Sequence, residues 1–170
     1  SWEGYAPSKV AVERAALDSG LPVSIIRPSK VHGRWARNAR TSTIVRRMRE
    51  DDRVLRLRRG GAVDHLTAAA NTAALIGAVA EAPAARILNT ADPDPLTAVE
   101  IVEAIADAIS WPGRVVAVGD DEPGLDHPWA AAHPIVLETT ESLRLGYRPV
   151  GDGRTLLAAE ARWVAQTLTS

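Results

Sequence analysis

Residues 5–33 read YAPSKVAVERAALDSGLPVSIIRPSKVHG, from Tyr5 to Gly33. The stretch predicts a helix over 6–19. Apolar positions fall at Val10, Ala11, Ala15 and Leu17, Pro7 suits a first helical turn, and Gly20 stands where a helix end favours positive φ. The run 21–27 is short and β-branched and stops at Pro28, which predicts a buried strand. Residues 28–37 then read as a loop turning at Gly33. A helix followed directly by a buried strand is the unit from which parallel sheets are built.

The rest of the chain repeats the alternation. Residues 41–50 predict a helix with Ile44, Val45 and Met48 on one face and arginines on the other. Residues 54–58 alternate apolar and Arg, as in a half-exposed strand, and Gly60-Gly61 makes a turn. An Ala-rich helix is expected over 67–82, apolar nearly all round and therefore buried. A strand at 86–89 and a turn-rich loop at 91–95 follow. The pattern Thr97-x-x-Glu100 is a capping box that starts a helix running to 109. Then come a strand at 114–118, a surface loop at 119–134, a short helix at 139–145 ending at Gly146, and an amphipathic helix at 154–168. This order argues for an α/β fold.

Composition narrows the function classes. With 170 residues, 46% hydrophobic and 24% charged, the chain can bury a core and is neither disordered nor fibrous. No apolar run is long enough for a transmembrane helix, and no signal peptide opens it. Absence of cysteine removes disulfides, thiolate zinc sites and a Cys nucleophile, and is compatible with a cytoplasmic location. A net charge of −1 gives no overall drive toward nucleic acid or membrane. His32, His65, His127 and His133 lack metal-ligand spacing, so no metal is expected. The acids Asp120, Asp121, Glu122 and Asp126 read as a solvated loop.

Chemistry concentrates in Tyr5-Ala6-Pro7-Ser8-Lys9. Positions four apart share a helix face, so phenol and ammonium can meet at one site. A cation beside a phenol favours phenolate, which suits a general acid/base working on an alcohol or carbonyl. The spacing alone is a weak signal and favours a surface tyrosine and a solvated lysine.

The order Tyr-x-x-Ser-Lys, helix, strand, Arg27-Pro28-x-x-Val31-x-Gly33 resembles the extended short-chain dehydrogenase/reductase family of NAD(P)-dependent sugar-nucleotide epimerases and dehydratases. Ile87-Leu88-Asn89-Thr90-Ala91, followed by Pro95-Leu96-Thr97-x-x-Glu100, resembles a further segment of that family. So does Leu145-Gly146-Tyr147-Arg148-Pro149 with Trp163 in the last helix. The resemblance implies the C-terminal part of a Rossmann-type doubly wound parallel sheet carrying a small substrate-binding lobe. Residues 1–33 would end the dinucleotide-binding domain. Residues 34–170 would be mostly lobe, with an interleaved strand and helix returning to the sheet.

The same resemblance implies roles. Tyr5 would be the catalytic acid/base, with Lys9 tuning it and binding the nicotinamide ribose of NAD or NADP. Pro28, Ser29, Lys30 and Val31 would lie against the cofactor. Lys30, His32, Arg34, Arg56 and Arg58 would meet the substrate, by analogy a nucleotide sugar. Helix 6–19 resembles the helix through which the family forms homodimers. The family's glycine-rich phosphate-binding turn and its upstream Ser or Thr have no counterpart here. Gly151-Asp152-Gly153 reads as a turn, and Ser1 is too close to Tyr5. The chain therefore reads as a C-terminal half, inactive and poorly stable without the N-terminal half, with the edge of strand 22–27 open. Departures from the pattern include Lys30 where Asn is usual, His32 where an aromatic is usual, and Asp64 to Asn71 without the usual Asp.

Residues 34–59 hold ten arginines against the three acids Glu50, Asp51 and Asp52. They read as a solvated basic face or as a grip for phosphate. The alternative to an enzyme is a non-catalytic module that uses these arginines for nucleic acid or a phosphorylated ligand. A relative that only senses NAD(P) redox state is a third option. No aromatic interleaves the arginines after Trp35, which argues against single-strand stacking.

Overall fold

A computed structural model of the chain describes residues 4–37, 39–50 and 53–168. Ser1, Asp51 and Asp52 lie outside the described residues.

Every strand pair among the described residues is parallel and non-local. β1 (Ser24–Pro28) pairs with β5 (Arg86–Thr90), with Ser24 opposite Arg86. After Ser29 the chain resumes as β2 (Lys30–His32), which pairs with β4 (Leu66–Ala68). β3 (Val54–Arg58) pairs with β6 (Arg114–Val118). Parallel partners need crossovers. Here α2 (Thr41–Arg49), α3 (Ala69–Glu81) and α4 (Ala98–Ala108) stand between the strands. The α/β expectation therefore holds.

Two cores hold the elements. The larger joins Ile44, Val45 and Met48 of α2, Leu55 and Leu57 of β3, and Ile101, Val102 and Ile105 of α4. It is completed by Leu157, Ala161 and Val164 of α6 (Gly153–Thr167), with Trp129. The apolar stripe read on residues 41–50 faces this core. A smaller core of Leu75, Leu88 and Tyr147 lies between α3, β5 and the segment after α5 (Thr140–Arg144).

The capping box of α4 forms as expected. Thr97 Oγ1 accepts from the Glu100 amide at 3.3 Å, and the Glu100 carboxylate accepts from the Thr97 amide at 2.7 Å. The Thr97 amide and hydroxyl hold the Glu100 carboxyl below the usual carboxylate range. Thr97→Ala is expected to cost about 1 kcal/mol, read as a lower urea midpoint at unchanged m value.

Four expectations are corrected. Residues 28–37 are not all loop, because Lys30 to His32 find β4 as a partner. The Ala-rich stretch is not one buried helix. Leu66–Ala68 is strand, and α3 buries only Asn71 and Leu75, leaving Ile76 54% exposed. Small alanines made the helix look apolar all round, yet only one face meets β1 and β5. Residues of β1 are half-buried or exposed rather than buried. Residues 119–134 lack regular structure but are not only surface, since Trp129 and His127 are buried.

Candidate functional site

α1 (Tyr5–Leu17) buries none of its residues. Tyr5 is exposed on it, and the Lys9 ammonium sits 5.4 Å from the centre of the Tyr5 ring. The helical register does bring these two groups together. The helix is tied to β1 through Glu13 and Arg27, whose Nε donates at 2.9 Å in a two-point contact. That guanidinium holds the Glu13 carboxyl below its ordinary range.

β1 delivers the chain to the C-terminal edge of the parallel strands, where open α/β sheets place ligands. There the Ser29 amide donates to the Thr90 carbonyl at 3.1 Å, and the Ser29 hydroxyl to the His65 carbonyl. The Lys30 ammonium pairs with Asp64 and donates to the Pro128 carbonyl. Val31 accepts from Arg40 at 3.0 Å.

His32 turns inward. It is 6% exposed, and its Nε2 lies 2.6 Å from Asp92 Oδ2. Asp92 is the hub of a buried polar knot. Its other oxygen accepts from the Ala68 amide at 2.7 Å and from Asn71 Nδ2 at 2.8 Å. Asn71 reaches on to the Gly151 carbonyl and the Val150 amide. His65 Nε2 meets the Asp92 carbonyl at 2.7 Å while its Nδ1 accepts from the Leu137 amide at 3.1 Å, which fixes the Nε2–H tautomer. Burial alone would raise the Asp92 carboxyl. The hydrogen bonds from His32, Ala68 and Asn71 outweigh it and hold the group below its ordinary value. α6 begins beside the knot, where a Cβ on Gly153 would lie 3.0 Å from Asp92 and Asp94 oxygens.

The arginines divide. Arg34 lies over the Trp35 ring at 5.7 Å, next to Trp163. Trp35 is 78% exposed with φ 72, a backbone region that bulky residues rarely occupy. Arg56 pairs with Glu122 at 2.8 Å, Arg58 with Asp126 at 2.5 Å and Arg59 with Asp120 at 3.2 Å. The acidic segment is thus the partner of the basic strand, while its carboxylates stay exposed to solvent as expected. It also reaches Lys30. His127 Nε2 donates to the Arg58 carbonyl at 2.6 Å, and the next residue supplies the carbonyl that Lys30 binds. Burial pushes the His127 imidazole down, and its Nδ1 accepts from the Trp129 amide.

Among the expected site residues, Lys30, His32 and Arg58 are therefore linked through residues 126–128 and the polar knot. Arg56 faces a separate open groove of about 520 Å³ beside Arg47. The sequence reading missed Asp64, Asn71, Asp92 and Glu160 as interior polar groups. For Asp92 a signal existed, since it follows a strand end at the edge where such sheets carry polar sites.

No protein-family model matches the chain, and no curated protein matches it by sequence. Solved structures do match it in fold. dTDP-glucose 4,6-dehydratase from Bacillus anthracis, in complex with NAD, superimposes at TM-score 0.72 with 19% identity, covering 97% of this chain and 53% of that one. UDP-glucose 4-epimerase from Thermotoga maritima, with UDP-glucose, gives TM-score 0.71 at 14% identity, covering 96% and 52%. RMD from Pseudomonas aeruginosa, complexed with NADPH, gives 0.69 at 14%, covering 95% and 55%. The chain spans about half the length of each. It has the fold of the corresponding part of these extended short-chain dehydrogenase/reductase structures.

Proposed function

We propose that the chain carries the catalytic helix and substrate lobe of an NAD(P)-dependent oxidoreductase, epimerase or dehydratase acting on a nucleotide sugar or a similar alcohol or carbonyl compound. One observation carries this reading. A fold shared along nearly the whole chain coincides with Tyr5 and Lys9 on one exposed helix face, immediately before a parallel strand. In this proposal residues 1–33 end the dinucleotide domain and residues 34–170 form mostly the lobe. A homodimer built on α1 belongs to the same reading, supported by the exposure of Val10 and Val12.

The residues fit a nicotinamide nucleotide. An ammonium and a phenol one helical turn apart suit the two hydroxyls of a ribose. In this reading Pro28 to Val31 would offer backbone to the cofactor at the end of β1. When bound, the cofactor would supply hydride transfer. Tyr5 would give or take a proton at the substrate oxygen. Lys9 would hold positive charge beside the ring. Lys30, held by Asp64 and Pro128, would present a fixed cation at the mouth of the site, with His32 behind it. The pairs of Arg56 and Arg58 with carboxylates are exposed, and such pairs contribute about 0–1 kcal/mol. A phosphate group can therefore displace the acids, which suits a diphosphate ligand.

Lys9→Met tests the assignment in the intact protein. Loss of one charged hydrogen bond, about 1.5–3 kcal/mol, should weaken NAD(P)H binding by about 10- to 100-fold. Nucleotide fluorescence measures this, with circular dichroism checking the fold. An unchanged dissociation constant sinks the cofactor role of Lys9.

A further inference from the structure

Beside Ala36 and Ala39 lies a small enclosed cavity lined by Lys30, His32, Arg40, Thr41, Trp129 and Glu160, among others. The space open to a water centre is about 20 Å³, enough for one water molecule. Four buried polar atoms on these lining residues have no hydrogen-bond partner. They are His32 Nδ1, Thr41 Oγ1, Trp129 Nε1 and Glu160 Oε2. Buried polar atoms are rarely left unpaired, and the four residues that carry these all line the one water-sized space. Their chemistry matches it. The indole N–H only donates, a carboxyl oxygen accepts, and the hydroxyl and the imidazole nitrogen can do either.

We propose that the cavity is a one-water site in which the water links Glu160 to His32 and carries a proton between them, making Asp92–His32–water–Glu160 a buried relay. The step balances. Glu160 as the neutral acid gives its proton to the water, the water gives one of its own to His32 Nδ1, and a carboxylate and an imidazolium result. The water is regenerated, and the net charge of the set stays at −1 because Asp92 remains ionised throughout. Asp92 is placed to steady the imidazolium through its contact at Nε2.

The groups around the relay come from every packed element. β2 gives Lys30 and His32, the segment before α2 gives Arg40, the turn after β5 gives Asp92, and α6 gives Glu160. Burial pushes the Glu160 carboxyl up, while His32, the Gly33 amide and Arg40 act against the rise. In one proton position the charge sits as a carboxylate on α6. In the other α6 is neutral, and so is the imidazole at the end of β2. The relay thus couples the charge of α6 to that of the end of β2. It stands apart from the cofactor assignment, since none of it depends on Tyr5 or Lys9.

The pH dependence has a definite sign. A carboxyl whose folded value is raised binds more protons in the fold than in the unfolded chain. Stability therefore falls as pH rises from about 4.5 through the folded value, then levels. Glu160→Gln mimics the neutral acid and should abolish that fall. Its Tm is expected to match wild type near pH 4.5 and to exceed it by a few degrees at pH 8. Crystallography of the unaltered intact protein keeps the test independent of how the variant folds, and two spectroscopic readouts compare it with Glu160→Gln. High-resolution crystallography should show one water between Glu160 and His32. Infrared difference spectra between low and high pH should show a protonated-carboxyl band assigned to Glu160 by its absence from Glu160→Gln. The ¹⁵N shift of His32 Nδ1 should differ between wild type and Glu160→Gln. A dry cavity, a His32 signal indifferent to Glu160, or an unaltered pH slope in Glu160→Gln would overturn the relay.

Discussion

Asp92→Ala lowers the stability of the fold by about 3–5 kcal/mol, because each buried donor it leaves without an acceptor costs about 1–3 kcal/mol. The reason lies in what it leaves behind. His32 Nε2, the Ala68 amide and Asn71 Nδ2 all lose their acceptor at a site that water does not reach. Urea denaturation of the intact variant measures the loss. A change under about 1 kcal/mol would mean that Asp92 does not hold these segments together. A pH effect accompanies it. The Asp92 carboxyl is held below its unfolded value, so its contribution is complete above about pH 4 and is lost as pH falls through the folded value. His127 adds a second acid-side loss. Its imidazole is pushed down, so stability falls as pH drops below about 6.5, where the unfolded chain takes up a proton first.

Tyr5→Phe has the largest expected effect on activity. If the proposed chemistry holds, removing the phenolic oxygen takes away the proton donor and acceptor at the substrate oxygen. The turnover number of the intact enzyme should fall by about 10²- to 10⁴-fold. The substrate KM should change little, because the ring and its neighbouring Lys9 stay in place. An assay following nicotinamide absorbance on a nucleotide sugar reads both constants. Wild-type turnover in this variant would remove Tyr5 from the chemistry and with it the main support for the enzyme reading.

The elements were legible where a local pattern decides them. The Thr97–Glu100 cap, the apolar stripe of α2 and the strand 54–58 all appear where periodicity and capping place them. β2 was not legible, because three residues after Pro28 carry no period of their own and become strand only through β4. α3 misled because alanine fits both buried and exposed helix faces. The site was legible in part. Tyr5 and Lys9 follow from helical spacing, and the position of Lys30 to His32 follows from the strand before them. The polar knot was not, because Asp92 and Asn71 meet only through tertiary packing. Glu160 sits in an amphipathic helix where a charged residue is expected to face solvent, yet it is 1% exposed.

The pairing of strands also sets a timetable for synthesis. No hairpin joins any named strand to its neighbour in the chain. Ser24 must wait for Arg86, Lys30 for Leu66 and Val54 for Arg114. At about 5–20 residues per second, a ribosome delivers each partner seconds after the first strand has emerged. During that interval the apolar run at Val23 to Ile26 has no strand to join within this sequence. Topologies of this kind fold slowly. The nascent chain is therefore the stage most in need of a chaperone, and codon changes that delay translation between β1 and β5 should lower soluble yield without altering the finished protein.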